Sequence, residues 1–367
     1  MAYSTIKDPS AHFQTVLWTG NNADTHAITN DGNSDLQPDW VWIKRRDYDN
    51  QPVLHDSSRG VTKFISTDRT DAEGTISPTT KFQSFDSNGF TTGSVSGAYN
   101  ASGEPFVAWQ WKANGGTTTS VSASGTGSGC VNACTHQANT TAGFSIITYT
   151  GRDDQLNNGQ ESKLTHGLGV APKVFICKRR DSADDWFYMG GDQASVRQGW
   201  YNGFLSLNDT DAVNGNHYVS NTQPDSTYIY LGNEKVNIAS EAYIGYAFAE
   251  IQGYSKFGKY TGNGQTSGPF VHTGFKPAFV LLKRTNTTSN WIIMDNKRDT
   301  FNEMETRLFP NLPNAEQAQS SYGLDFLSNG FKLRDTVSQS NGSGSTYIYM
   351  AFAESPFVAG GIPTNAK

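Results

Sequence analysis

Charged residues follow an apolar stretch that occurs three times in this chain of 367 residues. Four apolar residues precede each cationic pair, and the pairs are Lys44-Arg45, Lys178-Arg179 and Lys283-Arg284. Such a row of cations is able to bind an anionic glycan or the acidic surface of a partner protein. Charges at the end of a strand also keep the strand soluble and discourage edge pairing. We favour this second interpretation because the row is regular, and we retain the six residues as candidate partner or glycan contacts.

Acidic residues recur in register as well. The repeated segments are Asp68 with Thr70-Asp71-Ala72-Glu73, Asp209-Thr210-Asp211-Ala212 and Asn314-Ala315-Glu316. Oxygen ligands at this density are able to hold calcium, which takes about six to eight of them. However, the spacing matches no EF-hand loop, and Asp and Asn side chains cap turns without any metal. We therefore predict no metal site, either here or around Cys130, Cys134 and His136.

Two glutamates, Glu250 and Glu354, end the last strand of the second and third copies, where the first copy has Ala113. Glycoside hydrolysis needs a pair of carboxylates, and neither glutamate has a second acid at a fixed offset. The sequence contains no Gly-x-Ser-x-Gly turn and no phosphate-binding glycine loop, and its histidines do not recur in register. We predict a non-enzymatic protein without a cofactor.

The elements that position these residues form an internal triplication. Pro38, Pro172 and Pro277 begin the apolar stretch in the three copies. An unbroken run of β-branched and aromatic residues predicts a strand buried on both faces, and proline marks its entry because it cannot donate to a ladder. Further landmarks keep the same order: Trp18-Thr19-Gly20, Tyr149-Thr150-Gly151 and Tyr260-Thr261-Gly262; then Asn100, Asn237 and Asn341; then closing strands from Phe106, Tyr243 and Tyr347.

Composition assigns the chain to the all-β class. It is 36% hydrophobic, 12% aromatic and 17% charged, with 37 glycines. Aromatic strands joined by many polar turns are typical of β-sandwiches. We predict three tandem antiparallel β-sandwich units, jelly-roll or lectin-like, of about 100 residues each. The predicted ranges are an N-terminal arm (1–12), unit 1 (13–113), a Gly/Ser/Thr-rich linker (114–143), unit 2 (144–252), unit 3 (253–358) and a C-terminal tail (359–367).

Local signals add detail to the units. Asn88-Gly89 and Asn329-Gly330 predict tight hairpin turns in units 1 and 3, because Asn-Gly supplies the positive φ angles such turns need. Cys177 lies inside an apolar stretch and is predicted to be buried. Whether Cys130 and Cys134 are bonded or reduced stays open.

Bulk properties exclude several classes of partner. A net charge of −6 argues against nucleic acid, whose phosphates need a basic face. No stretch of about 18 apolar residues exists, so we predict no membrane insertion. The polar N-terminus has no signal-peptide core, which is typical of a protein made in the cytoplasm.

The residues that carry a family resemblance are the run from Gly274 to Arg284, Trp291-Ile292-Ile293, and the closing run from Tyr347 to Glu354. With the matching runs of units 1 and 2, the chain resembles a repeated domain of unknown function in predicted virion proteins of marine tailed phages, including those of cyanobacteria and Pelagibacter-like hosts. The resemblance implies a virion structural protein, made in the host cytoplasm, that acts as a tail fibre or tail-associated appendage in host attachment. The resemblance implies no set of catalytic residues, and a fold alone does not determine a function. Two alternatives stay open: a capsid-decorating or cement protein without host contact, and a lectin-like module that binds host envelope glycans.

The apolar stretches also predict association. Phe279 and Leu281 point to one face of their strand, and Val280 and Leu282 point to the other. One face lines the unit's own core, and the other needs cover because each large side chain gains about 1.5–3 kcal/mol on burial. Three units are expected to cover one another only partly. We therefore predict an oligomer, a trimer in the first instance, or contacts with other virion proteins.

Overall fold

A computed structural model describes residues 4–94, 97–152, 161–190, 203–214, 222–232, 235–359 and 362–363. Regular structure in these residues is nearly all β-strand, so the all-β prediction is confirmed. The exceptions are a 3-10 turn (Pro9–Ala11) and one short α-helix, α1 (Ser338–Asn341). No helix in the described part of the chain is long and apolar enough to cross a bilayer.

Unit 1 contains a large and a small antiparallel sheet. Its strands are β1 (Phe13–Thr19), β2 (His26–Thr29), β3 (Trp40–Arg45), β4 (Val53–Asp56), β5 (Lys63–Ser66), β6 (Gly74–Thr75), β7 (Phe82–Asp86), β8 (Gly89–Thr92) and β9 (Pro105–Trp111). The large sheet has the order β1-β9-β3-β4-β5-β6, and the small one β2-β8-β7. Among the strands of the described residues, β1 has a neighbour on one side alone, so it is an edge strand of this sheet.

The second large sheet has two additional strands at one edge. The strands from residue 114 to 252 are β10 (Thr119–Val121), β11 (Cys134–Asn139), β12 (Phe144–Thr150), β13 (Ser162–Thr165), β14 (Val174–Arg179), β15 (Trp186–Gly190), β16 (Leu205–Ser206), β17 (Tyr228–Leu231) and β18 (Ala242–Phe248). The large sheet has the order β10-β11-β12-β18-β14-β15-β16, and β13 pairs with β17.

Unit 3 has a four-stranded sheet and smaller ones. Its strands are β19 (Ser255–Thr261), β20 (Phe270–His272), β21 (Phe275–Arg284), β22 (Trp291–Asp295), β23 (Thr306–Arg307), β24 (Gln317–Ala318), β25 (Leu324–Leu327), β26 (Gly330–Leu333), β27 (Thr346–Pro356), β28 (Val358–Ala359) and β29 (Ile362–Pro363). The main orders are β19-β27-β21-β22 and β20-β26-β25.

The same four-strand order occurs in all three large sheets: opening strand, closing strand, strand of the apolar stretch, and following strand. These sets are β1-β9-β3-β4, β12-β18-β14-β15 and β19-β27-β21-β22. The register also agrees, because Lys44, Lys178 and Lys283 lie opposite Val107, Ile244 and Ile348, the second residue of each predicted closing strand. The predicted equivalence of the three lysines is confirmed.

Each large sheet is buried on both faces. In unit 1, Val41 and Ile43 of β3 pack with Phe82 and Phe90 of the small sheet. The alternate residues of the apolar stretches enter one core common to the three units: Trp40 and Trp42, Val174 and Ile176, Phe279 and Leu281. Rings of different units lie against one another there, since the Trp40 and Phe248 centroids are 5.8 Å apart.

The common core covers the faces that were expected to need another chain. Phe279 and Leu281 are 1% and 3% exposed within the single chain. The premise that the units cover one another only partly is therefore wrong. Association into a trimer stays a prediction, but burial of the apolar stretches no longer requires it.

The predicted linker is part of the folded structure. Its β11 pairs with β12 along six residues, so it extends the sheet of unit 2. Asp39 holds its beginning, because the carboxylate accepts hydrogen bonds from Gly115 N and Gly116 N at 2.9 Å each. This segment is therefore attached to units 1 and 2 and is not a free spacer, although most of its glycines and serines are exposed.

The two predicted hairpins form, and the N-terminal arm is part of the packed structure. Asp86 pairs with Gly89 and Leu327 with Gly330, which confirms the two hairpins. The predicted turn chemistry is wrong, because the loops are residues 87–88 and 328–329 and Gly89 alone of the four Asn-Gly residues has a positive φ. In the arm, Ile6 is 3% exposed and enters the common core, so this segment is packed.

Candidate functional site

The three recurring lysines are buried. Lys44, Lys178 and Lys283 are 0–1% exposed. The Lys44 ammonium donates to Asn50 O and Pro313 O at 2.7 and 2.6 Å, and burial lowers the pKa of each lysine to about 8. The favoured interpretation, in which these charges at the strand ends keep the strands soluble, is wrong for the lysines.

Two of the three lysines have a hydrogen-bond partner on another unit. Pro313 of unit 3 accepts from Lys44 of unit 1, and Thr210 O of unit 2 accepts from Lys283 of unit 3 at 2.8 Å. Lys178 donates to Arg179 O at 2.8 Å, within its own unit. Two of the lysines therefore fasten one unit to the next.

The acidic loops form the other side of these junctions. At each junction, a backbone N–H of the acidic loop donates a hydrogen bond to a backbone carbonyl just after the apolar stretch of a neighbouring unit. The three hydrogen bonds run from Glu73 N to Arg180 O at 2.8 Å, from Val213 N to Thr285 O at 2.9 Å, and from Glu316 N to Arg46 O at 2.6 Å. The loop of unit 1 thus contacts unit 2, that of unit 2 contacts unit 3, and that of unit 3 contacts unit 1. The three equivalent junctions close a ring.

Two junctions carry the same network of charges. Glu73 accepts from Arg180 at 2.8 and 3.1 Å, and from the buried Arg59 at 3.2 Å. Arg59 is paired in turn with Asp56 at 2.5 Å. Burial acts to raise the pKa of Glu73, but hydrogen bonds from Arg180 and the charge of Arg59 bring it below its usual value.

The second network is equivalent, residue for residue. Glu316 accepts from Arg46 at 2.9 Å through both oxygens and from Arg298 at 3.3 Å. Arg298 is paired with Asp295 at 2.6 Å, and both side chains are fully buried. A buried pair holds only when its hydrogen bonds are satisfied, so these networks fix the mutual position of the units. At the remaining junction, Val213 and Thr285 stand in place of the acid and the arginine.

The closing strands add polar contacts to the same junctions. Tyr246 donates its hydroxyl to Asp56 at 2.7 Å, and Trp109 donates its indole N–H to Asp295 at 3.0 Å. At the equivalent position of unit 3 stands Met350, which needs no such acceptor. At this position of the closing strands, both polar rings are thus matched by a carboxylate on a neighbouring unit.

The acidic loops are not arranged as a metal site. Glu73 and Glu316 are engaged by arginines, while Asp71 lies 3.6 Å from the Arg69 guanidinium at the surface. Among the described residues, no group of three or more His, Cys, Asp or Glu side chains is placed to hold a metal ion.

The arginines of the cationic row are the part that reaches the surface. Arg45 pairs with Asp47 and Glu104, and Arg179 pairs equivalently with Asp181 and Glu241. Arg284 donates to the neutral Asn286 and to Ser338 O. Contact with a partner or glycan stays a prediction for this row, and without rearrangement it falls on the arginines.

The recurring asparagines are buried and connect the start of each unit to its end. Asn100, Asn237 and Asn341 are fully buried, and each side-chain oxygen accepts the amide N–H that follows the Thr-Gly pair of its unit. The distances are 2.9, 3.0 and 2.9 Å. This close approach explains the glycine, because a Cβ at Gly151 would lie 2.0 Å from Ile238 O. These residues hold the start and the end of each unit together.

The remaining candidates are not brought together. Glu250 pairs with Lys256 at 2.6 Å, and Glu354 accepts from Lys276 at 3.3 Å and from Asn296 at 2.8 Å. Cys130, Cys134 and Cys177 are free and buried, which confirms the prediction for Cys177. Burial raises the pKa of the Cys134 thiol to about 11.

Sequence reasoning did not pair Glu316 with Arg46 or Glu73 with Arg180, and it did not single out Arg59. The signal was nevertheless present, since unit 3 has Thr285 at the position of the second arginine. The preceding unit, whose loop contacts it, has Val213 at the position of the glutamate. A joint loss of acid and base at repeat positions indicates that the two are in contact.

Comparisons place this architecture in a family without assigned chemistry. A model of the family described as "Domain of unknown function (DUF7483)" matches residues 8–356. No curated protein and no solved structure matches the chain.

Proposed function

We propose that this chain, which belongs to the family of domains of unknown function DUF7483, is a non-enzymatic structural protein whose three β-sandwich units form a closed, rigid ring. One observation carries the proposal: most of the side chains that recur in register bond within the molecule. The lysines and asparagines are buried and bonded to backbone groups, and two of the three acidic loops place a glutamate on a neighbouring unit's arginine. A catalytic or binding repeat would be expected to point its recurring groups at a cleft.

Resemblance to predicted virion proteins of tailed phages directs the proposal to a virion appendage that contributes to host attachment. A ring closed within one chain provides threefold pseudo-symmetry without depending on subunit concentration. Many assemblies obtain such symmetry by association of copies. The loops outside the ring are then free to vary and to contact other virion proteins, further copies of the chain or the host surface.

Quantitative proteomics of purified particles, with antibody labelling in electron micrographs, tests this role. A tail appendage is expected in few copies, with label at the tail. Hundreds of copies per particle, with label over the head, would instead indicate a capsid-decorating protein. Absence from the particle would contradict both. Turnover of host envelope polysaccharide by the purified protein, lost on substitution of a single carboxylate, would contradict the non-enzymatic assignment.

A further inference from the structure

A buried histidine connects the two strands of the small sheet of unit 2, β13-β17. His166 follows β13 directly and is 0% exposed. Its backbone N–H donates to Thr227 O at 3.3 Å, and its Nε2 lies 3.1 Å from Asp225 O, in the turn before β17. On the other side of the ring, Leu168 N donates to Nδ1 at 3.1 Å. His166 therefore holds the end of β13 against the start of β17.

These contacts fix the imidazole in one neutral form. Because the Leu168 N–H points at Nδ1, that nitrogen carries the lone pair, and the proton lies on Nε2, which donates to Asp225 O. A second proton would go to Nδ1 and set two N–H groups against each other. The buried Leu168 amide would then have no acceptor. Protonation of His166 is thus incompatible with the geometry of this turn.

The equivalent positions of the other units hold side chains that do not titrate. Thr273 Oγ1 of unit 3 accepts the N–H two residues on, from Phe275, as His166 Nδ1 accepts from Leu168. Unit 1 has Asn30 at this position. Unit 2 alone of the three uses a titratable acceptor here. The backbone hydrogen bonds that establish the equivalence run from Asn30 N to Asn88 O, from His166 N to Thr227 O, and from Thr273 N to Asn329 O.

The groups around His166 oppose its protonation. Burial is the largest influence and lowers the pKa of His166 to about 4. His136 of β11 would repel a second imidazolium, and its own buried Nδ1 has no hydrogen-bond partner among the described residues. The Cys134 thiol adds no charge near pH 7, because burial raises its pKa. The Asp225 carboxylate acts in the opposite direction, but it already accepts from the Tyr230 hydroxyl and from two backbone amides.

We propose that His166 is an acid-sensitive latch, and that uptake of a second proton by its ring lets β13 separate from β17. Because the ring is fully buried, the proton is taken up in the opened state, where a histidine has a pKa of about 6.5. The folded-state pKa lies below that value, so the latch is closed above about pH 6.5 and weakens as pH falls towards 4. This inference rests on contacts within unit 2 and does not depend on the proposed role in a virion.

Hydrogen exchange followed by mass spectrometry, on the full chain at pH 7 and pH 5, tests the proposal. The measured quantity is the protection factor of peptides that cover β13 and β17, which corrects for the intrinsic pH dependence of exchange. The two pKa values predict that the opening constant of this sheet rises about 20-fold between pH 7 and pH 5. The small sheet of unit 3, β20-β26-β25, has Thr273 in place of His166 and is the internal reference, with an expected change of less than about 3-fold.

His166→Asn introduces the residue of unit 1. Its Oδ1 is able to accept from Leu168 N without titrating, so the loss of protection in unit 2 is expected to shrink to less than about 3-fold. His272→Asn, at an exposed position of β20, is the matched control and is expected to retain the loss of about 20-fold in unit 2. In the wild type, ¹⁵N NMR of the imidazoles is expected to show His166 as the neutral Nε2–H tautomer at pH 6, which is a readout independent of any variant.

A loss of protection confined to the small sheet of unit 2 and removed by His166→Asn supports the latch. An equal loss in the small sheet of unit 3 overturns it, because acid then acts on the whole molecule. A loss that persists in His166→Asn, or no loss in the wild type, overturns it as well. If His166→Asn does not fold, NMR decides: the Nε2–H tautomer at pH 6 supports the latch, and an Nδ1–H tautomer or a protonated ring in the folded protein overturns it.

Discussion

Glu73 and Arg180 belong to different units and form a two-point ion pair, with distances of 2.8 and 3.1 Å. Glu316 and Arg46 form the same pair at 2.9 Å, although they lie at opposite ends of the chain. A contact that repeats between unit 1 and unit 2, and again between unit 3 and unit 1, is what a closed ring of three requires.

Removal of Glu73 is expected to destabilise the protein strongly. Glu73→Ala leaves the buried Arg59 and the partly buried Arg180 without this acceptor, and breaking a buried pair costs about 3 kcal/mol. Denaturant unfolding measures the loss. Asp71→Ala, in the same loop but 70% exposed, is the control and is expected to change stability by less than about 0.5 kcal/mol. Equal losses of stability from the two substitutions would show that the Glu73 network does not stabilise the protein.

The buried lysine of unit 3 is expected to act through its donors. Lys283→Met preserves the apolar stem but leaves Thr210 O and Ser289 O without the ammonium, a loss of about 2 kcal/mol. Arg284→Met, one residue along and nearer the surface, is expected to cost less than about 1 kcal/mol. Thermal and denaturant unfolding of both variants provide the comparison. A neutral Lys283→Met would mean that the junction does not need this contact.

Stability of the wild type relative to Lys283→Met is expected to change with pH. Burial lowers the pKa of Lys283 to about 8, whereas a lysine in an unfolded chain has a pKa of about 10.4. Between these values the unfolded state holds more protons, so the lysine's contribution to stability rises as pH increases. Buried tyrosines and cysteines titrate in both proteins and cancel in the difference. We therefore expect Lys283→Met to be more destabilising at pH 10 than at pH 7, by about 2 kcal/mol. A difference that is flat or falls with pH would refute a buried, depressed lysine.

The glycine of the Thr-Gly pair is expected to tolerate no side chain. Gly151→Ala places a Cβ 2.0 Å from Ile238 O, which is backbone and has little room to move, so we expect a loss of about 3 kcal/mol or more. Gly97→Ala is the control, because its Cβ would meet the end of the Asn50 side chain at 2.7 Å and that chain is able to turn away. If both variants lower the melting temperature by the same amount, the close approach of Ile238 O does not explain the effect of Gly151→Ala.

The sequence predicted what is local and periodic. The apolar stretches and the equivalence of the lysines follow from strand patterning. Asn-Gly located both hairpins, although the loops are residues 87–88 and 328–329 and not the Asn-Gly pairs themselves. The contacts between units did not follow, because Lys283 reads as a surface cation unless its carbonyl partners on another unit are known. The segment with β11 likewise has the composition of a linker, because glycine and serine content does not reveal a carboxylate such as Asp39 that holds it in place.

A double-mutant cycle across the closing junction tests the central claim most directly. Arg46 and Glu316 come together only if unit 3 returns to unit 1. Denaturant unfolding of Arg46→Ala, Glu316→Ala and the double variant, repeated at two protein concentrations to exclude exchange between chains, measures their coupling. The closed ring predicts an interaction energy of about 1–3 kcal/mol, independent of concentration. Effects that add to within about 0.3 kcal/mol would contradict it.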